Sequence, residues 1–120
     1  LISSSFEEYT KSNNLKSNIE AVKKLIGYLE ARPYPASTVD IEQFGKDFFE
    51  YFRDTCGVQN GLYEILITHY FTIFRYIQFY FNDKSLKISD EQIKKLSYVW
   101  IEQLKRIIGK YLECLNKFYE

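Results

Sequence analysis

The chain has 120 residues, and its 16 basic residues are balanced by 16 acidic ones. This length fits a single domain over residues 1–120 with one core. The neutral balance excludes a protein that is basic over its whole surface, so any basic surface must be local. The chain starts at Leu1 and contains no Met, from which we expect a fragment or a processed product of a longer protein.

The cysteines and the longest apolar segment indicate the cellular compartment of the protein. Cys56 and Cys114 form no Cys-x-x-Cys and lie far apart, which indicates free thiols in an intracellular, cytoplasmic protein and no metal site. Residues 62–81 are long enough to span a bilayer but include Glu64 and Arg75. Each charge near the bilayer centre costs about 2.5–3.5 kcal/mol, so the segment predicts a buried core helix and no membrane contact.

Helix-start signals divide the chain into five helices. A small polar residue followed three residues later by Glu or Gln can cap a helix, and the sequence has four such pairs: Ser5–Glu8, Ser17–Glu20, Asp40–Gln43 and Ser89–Gln92. Stop signals are Asn13–Asn14, the two prolines within 32–35, and Gly57. These signals predict helices over about 6–13, 18–31, 41–55, 62–82 and 90–118.

Hydrophobic spacing predicts how these helices pack. The helix over 62–82 is apolar around most of its circumference, which is typical of a helix surrounded by others. One narrow polar stripe on it faces water or contacts partners: Glu64, Thr68, Thr72, Arg75 and Asn82. The last helix has a long apolar seam, and its far end projects or pairs with a second copy: Ile93, Leu96, Trp100, Leu104, Ile107, Tyr111, Leu115 and Phe118.

The predicted fold is therefore all-α, a helical bundle with one short N-terminal helix, three longer helices and a long C-terminal helix. Its core is aromatic-rich, since the chain has 11 Tyr and 10 Phe. We expect the core to include the following side chains: Phe44, Phe48, Phe52, Leu66, Ile73, Ile77, Leu96, Trp100, Leu104 and Ile107.

Catalytic and metal-binding patterns are weak. Cys56 and His69 are the residues that a thiol nucleophile and its base would need, but only their residue types support that pairing. Three acids in the third helix, Asp47, Glu50 and Asp54, follow its polar side, where solvated acids are expected. No phosphate-binding loop or metal motif is present. We expect no enzymatic activity, no cofactor and no metal.

The segment over 84–110 is locally positive, with seven basic and three acidic residues. Its basic side chains, with Arg75 added from the preceding helix, are the predicted contacts to a phosphate backbone: Lys84, Lys87, Lys94, Lys95, Lys105, Arg106 and Lys110. Tyr98 and Trp100 lie among them and could stack on bases. The alternative is an ordinary solvated face, because Glu91–Lys95 and Glu102–Arg106 have favourable ion-pair spacing.

An aromatic run over 76–81 includes Tyr76, Phe79, Tyr80 and Phe81. Consecutive helical positions point in different directions, so these rings cannot all face one core. We expect most of this surface to pack within the chain, and presentation to a protein partner or a second copy is the alternative.

Residues 6–83 resemble the core-binding, SAM-like domain of tyrosine recombinases and phage-type integrases. The resemblance lies in the helix order and in patterns of the types F-x-x-Y, T-x-x-D-I-x-x-F and Y-x-x-x-L-R-x-F-x-x-Y, found here as Phe6–Tyr9, the stretch from Ser37 to Phe44, and the stretch from Tyr70 to Tyr80. The family implies DNA contact without catalysis. Family members are usually more basic, and a catalytic domain follows where this chain has one long helix.

Two functions follow as expectations. The first is a non-catalytic DNA-binding or DNA-processing accessory domain in recombination or replication, like an integrase core-binding domain or a primase helix-bundle domain, with DNA held by the last helix. The second is a protein–protein interaction or homo-oligomeric assembly module that buries the aromatic run and the far end of the last helix.

Overall fold

The computed structural model describes residues 13–57, 61–82 and 89–119, and these ranges contain no β-strand. The helices there are α1 (Asn13–Ala31), α2 (Thr38–Cys56), α3 (Gly61–Asn82) and α4 (Asp90–Tyr119). The all-α prediction is confirmed. The short helix predicted over 6–13 falls, apart from Asn13, outside the described residues, so the count of five helices stays a prediction.

Successive helices run antiparallel. Phe52 of α2 contacts Tyr63 of α3, with ring centroids 5.3 Å apart, and the earlier Phe49 contacts the later Tyr70 at 5.6 Å. The ring of Tyr70 also lies 5.6 Å from that of Trp100. Tyr70 is about three turns before the end of α3, and Trp100 is about three turns after the start of α4, so these two parts of the helices lie side by side. The structure is thus a four-cornered bundle whose main packing pairs are α1–α2, α2–α3, α3–α4 and α4–α1.

The core draws on all four helices, and much of the predicted core is confirmed. Phe48, Phe52, Leu66, Trp100 and Leu104 are fully buried. Four other predicted core residues are half-buried and pack against the core: Phe44, Ile73, Leu96 and Ile107. The side chain of Ile77 lies outside the described residues. The buried face of α4 is rotated relative to the predicted seam and takes in further side chains: Ser97, Ile101 and Ile108.

The predicted start of the first long helix was wrong. α1 begins at Asn13 and passes through Asn14 and Ser17, so these residues neither stop a helix nor cap one. The physical reason is Leu15, which is 1% exposed in the core. Its position extends the apolar spacing by more than one turn toward the N-terminus, and burial of a Leu side chain is worth about 1.5–3 kcal/mol, more than a cap at Ser17 would contribute.

The ends of α2 and the start of α4 rest on specific caps. The hydroxyl of Ser37 accepts a hydrogen bond from the backbone N–H of Asp40 at 3.1 Å, so Ser37 caps α2 and the prediction of Asp40 as its cap was wrong. Gly57 ends α2 with φ of 79°, and its N–H donates to the carbonyl of Arg53 at 3.0 Å, as predicted. The Ser89–Gln92 capping box is confirmed, with reciprocal bonds of 2.8 and 3.2 Å.

The prediction that α3 is surrounded by other helices was wrong. Only Leu62 and Leu66 are fully buried among its described side chains. Ile65 is 50% exposed, Phe71 51% and Phe79 62%. The reason is the four-cornered packing, in which α3 touches α2 on one flank and α4 on the other and keeps an outer face. An apolar composition around the whole helix therefore does not mean burial on every side here.

Candidate functional site

The predicted basic side chains that the structure describes lie on α4 and α3. Lys94, Lys95, Arg106 and Lys110 are exposed, as is Arg75 on α3. Lys84 and Lys87 lie outside the described residues. Lys94 and Lys105 are three turns apart and share one line, whereas Lys95 and Arg106 share the next line around the helix. The basic side chains therefore spread over two lines of α4 rather than forming one stripe.

Lys105 is committed to contacts within the chain. Its side chain is 22% exposed and its Nζ lies 3.5 Å from Oε1 of Glu102 and 3.4 Å from the hydroxyl of Tyr34. Although partial burial disfavours its charge, the bond to Tyr34 and the attraction of Glu102 raise the pKa of Lys105 above its usual value. The ammonium of Lys105 thus already has two partners on the chain, and Glu102 pairs with it rather than with Arg106.

Acidic side chains lie among the exposed basic ones. Glu91 stands one turn before Lys95, and Glu113 stands two turns after Arg106. Tyr98 is 55% exposed, and its ring lies 5.3 Å from that of Tyr34. Near its basic side chains the α4 surface consequently offers the exposed ring of Tyr98 and a mixed set of charges, while its other exposed ring, Phe118, lies at the far end of the helix.

The residues considered for catalysis lie on separate helices, with Cys56 at the end of α2 and His69 within α3. Burial raises the pKa of Cys56 to about 11, so its reactive thiolate is scarce near neutral pH. His69 is exposed on α3. Asp47 accepts a hydrogen bond from Gln43 at 2.8 Å on the exposed side of α2. In ranges 13–57, 61–82 and 89–119, no three His, Cys, Asp or Glu residues are grouped to hold a metal ion.

A cleft of about 350 Å³ lies beside the connection between α1 and α2. Its walls combine apolar and charged groups: Arg32, Pro33, Tyr34, Pro35, Asp40, Gln43, Phe44 and Asp47. The guanidinium of Arg32 is held over the ring of Tyr28, 3.4 Å from its centroid, and Asp47 is bonded to Gln43. These polar groups are engaged with neighbours on the chain rather than converging on a ligand position.

The outer face of α3 carries residues for which the sequence left contact with a partner open as an alternative. Exposed side chains follow one another along it at spacings of four, three, four and three residues, which places them in one line. We call this line the α3 stripe: Ile65, His69, Thr72, Tyr76 and Phe79. Ile65, Tyr76 and Phe79 are 50%, 49% and 62% exposed. Tyr76 and Phe79 of the aromatic run thus present part of their rings to the outside, although each also has a contact partner. The side chains of Tyr80 and Phe81 lie outside the described residues, so packing of the run mostly within the chain stays a prediction.

Charge is scarce on α3. Its 22 residues include two charged ones, Glu64 and Arg75, while α1 has five in 19, α2 seven in 19 and α4 ten in 30. The polar stripe noted in the sequence is exposed where it is described. Two of its hydroxyls bond back to the helix, from Thr68 to the carbonyl of Glu64 at 2.8 Å and from Thr72 to that of Thr68 at 2.9 Å. The hydroxyls of Thr68 and Thr72 therefore each have a partner on α3 itself.

A flank of α4 continues the same surface. Tyr98, Glu102 and Lys105 face Tyr34, on the side of α1. By helical spacing the opposite flank adjoins α3, and it carries half-buried and exposed side chains: Leu96, Val99, Gln103 and Ile107. Val99 is 53% exposed. The α3 stripe and this flank together make a two-helix face that is apolar over much of its length.

Comparison with known proteins does not assign the chain to a family. It matches no known protein family, and no curated protein or solved structure is significantly similar to it. The resemblance to recombinase core-binding domains therefore stays a prediction. Within the described helices, none is both long and apolar enough to cross a membrane.

Proposed function

We propose that this chain is a non-catalytic helical interaction module that assembles with a protein chain through the outer face of α3. The observation that carries the proposal is the α3 stripe, in which Ile65, Tyr76 and Phe79 are exposed in line on the helix that has the fewest charges. Interface centres are typically depleted in charge and enriched in aromatic residues.

Solvation supports this choice of surface. Buried apolar area contributes about 25 cal/mol per Å², so covering half-exposed rings and an isoleucine provides a driving force that the charged faces of α1 and α2 lack. The stripe also has the spacing at which a second helix can insert its side chains. Exposed apolar side chains grouped on one helix face mark interaction sites on protein surfaces, and here His69 and Thr72 lie between Ile65 and Tyr76.

DNA contact through α4 is the second candidate. The exposure of Lys94, Lys95 and Arg106 beside the ring of Tyr98 favours it, and the recombinase resemblance supplies a recombination or replication context. The engagement of Lys105 by Glu102 weakens it. We rank it below assembly because these charges are mixed with acidic ones.

Native sizing of the chain in an extract of its own cells tests the proposed function. The wild-type chain is expected to elute above the 14.4 kDa of one chain. The double variant Ile65→Lys, Thr72→Lys places two charges in the α3 stripe at exposed positions, so it should fold and elute as a single chain.

Val39 provides the matched control, because it is an apolar side chain 72% exposed at the first turn of α2, away from the stripe. Val39→Lys should elute like the wild type. If the double variant instead elutes at the same volume as the wild-type complex, assembly does not use α3.

A further inference from the structure

We propose that the chain which covers the α3 stripe is a second copy, and that the two α3 helices pack antiparallel across a two-fold axis at the level of Tyr70. This inference rests on the proposed function and names its partner. A two-fold arrangement requires the same patch to fit itself, and both the spacing of the stripe and its flanking charges meet that requirement.

The stripe is self-complementary in reversed order. Its spacing of four and three residues places side chains at the a and d positions of a heptad, and antiparallel helices pack a against d. With the axis between residues 70 and 71, Ile65 of each copy faces Tyr76 of the other, and His69 faces Thr72 of the other. Phe79 then faces the second copy's α3 near Leu62. Each Tyr76 ring is thus opposed by the aliphatic side chain of Ile65, whereas Phe79 lies against the second copy at the level of Leu62, which is buried in the core of its own chain.

The two charges on α3 are complementary under the same operation. Glu64 and Arg75 are eleven residues apart, three turns, so both lie along one edge of the stripe. A two-fold axis across antiparallel helices brings equivalent edges together, and Glu64 of each copy comes within about 3 Å, along the helix axis, of the level of Arg75 of the other. Neither residue has an ion-pair partner among the described residues. Association therefore forms two symmetric ion pairs.

The size of the face suits a dimer. α3 has 22 residues and is about 33 Å long at 1.5 Å per residue. With the adjoining flank of α4, set at the usual helix spacing, the face is roughly 33 by 20 Å in projection. Its accessible area approaches the roughly 800 Å² per partner of a standard interface. Because Trp100 lies at the level of Tyr70, the axis also brings Val99 of the two copies close together.

Sedimentation equilibrium of the purified chain, across a wide concentration range, tests the inference. The wild-type chain should show a reversible equilibrium between 14.4 kDa and twice that mass. Either single variant, Glu64→Arg or Arg75→Glu, replaces both symmetric ion pairs of the dimer with pairs of like charge. Each variant should therefore weaken dimerisation roughly tenfold. The double variant Glu64→Arg, Arg75→Glu restores both pairs and should dimerise within about threefold of the wild type, as expected when two sites couple.

Glu30→Arg is the matched control, since it makes the same charge change on the exposed face of α1. It should leave the dimer unchanged, and circular dichroism of every variant should show the wild-type helix content. A wild-type chain that stays monomeric at millimolar concentration overturns the inference. A dimer that the single reversals do not weaken, or that the double variant does not restore, overturns it too.

The two proposals fail separately. If the purified chain is monomeric but the complex in extracts is lost in the Ile65→Lys, Thr72→Lys variant, the second copy is wrong and a different protein uses the same face. If neither measurement depends on α3, the proposed function itself is wrong.

Discussion

The hydroxyl of Tyr34 donates a hydrogen bond to Oε1 of Glu102, across 68 residues of sequence. Tyr34 belongs to the connection between α1 and α2, and Glu102 lies on α4. Lys105 adds its ammonium at 3.4 Å from the Tyr34 hydroxyl. This contact fixes the connection on α4 and, in doing so, uses one of the basic side chains that the sequence assigned to nucleic acid.

The first prediction concerns the ionisation of Glu102. The bond from Tyr34, helped by the charge of Lys105, lowers the pKa of this carboxyl below its ordinary value. The contribution to stability is therefore present above the unfolded-state pKa and is lost as the pH falls through the folded one. In Tyr34→Phe the donor is gone, and the pKa of Glu102 should rise toward its ordinary value in a carboxyl NMR titration. An unchanged titration would mean that the hydroxyl does not bond the carboxylate in solution.

The second prediction concerns the contact between α2 and α3. The ring of Tyr70 lies directly over Gly45 and occupies the space that a Cβ atom there would need. That ring is held by Phe49, Phe74 and Trp100, so it cannot move away freely. Gly45→Ala should lower the free energy of unfolding by about 1–3 kcal/mol, measured by urea denaturation.

Gly27→Ala is the control for that substitution. Gly27 is also inside a helix, but nothing lies within 4 Å of its added Cβ. Alanine favours the helix over glycine, so this variant should be about 0.5–1 kcal/mol more stable. Equal effects at positions 27 and 45 would show that the Tyr70 contact has no steric consequence.

The third prediction concerns the two thiols. Burial raises the pKa of Cys56 to about 11, two pH units above the value of 9.0 for a free thiol, which leaves about a hundredfold less thiolate near neutral pH. Cys114 is exposed. Iodoacetamide should therefore alkylate Cys114 much faster than Cys56 in the folded chain. The two rates are measured by mass spectrometry of peptides. In urea the two rates should become similar, and equal rates in the folded chain would contradict the burial of Cys56.

The fourth prediction concerns DNA. Because Lys105 is engaged and acids lie among the other charges, we expect duplex binding no tighter than the non-specific range of about 10⁻⁴ to 10⁻⁶ M, falling steeply with salt. A labelled duplex titrated at two salt concentrations checks this. The comparison is the variant Lys94→Glu, Lys95→Glu, Lys105→Glu, Arg106→Glu. Tight binding that disappears in this variant would favour the DNA-binding candidate.

Local signals in the sequence predicted much of the fold. Gly57 and the Ser89–Gln92 pair mark helix ends through backbone chemistry, which depends on a few neighbouring residues, and both were confirmed. The large core rings Phe48 and Trp100 were also predicted. Signals of the same kind failed at Ser17, where tertiary burial of Leu15 extended the helix past a suitable cap.

The candidate surface could be given from the sequence only as an alternative, because its exposure depends on how the helices are placed around one another. Ile65 and Leu66 are adjacent apolar residues, yet Ile65 is 50% exposed and Leu66 is fully buried. The narrow polar stripe of α3 indicated one outward face, but the apolar residues beside it do not show whether the helix lies at the centre of a bundle or at its corner. The spacing of the stripe was visible, but its exposure became clear only from the positions of α2 and α4.

The most direct test of the central claim is photo-cross-linking from the middle of the α3 stripe. A benzoylphenylalanine introduced in place of Thr72, which is exposed, is compared with one in place of Val39, which is 72% exposed on α2. We predict a protein adduct from position 72 and none from position 39, with the adduct mapping to α3 of a second copy. No adduct from position 72, or equal adducts from both positions, would contradict assembly through α3.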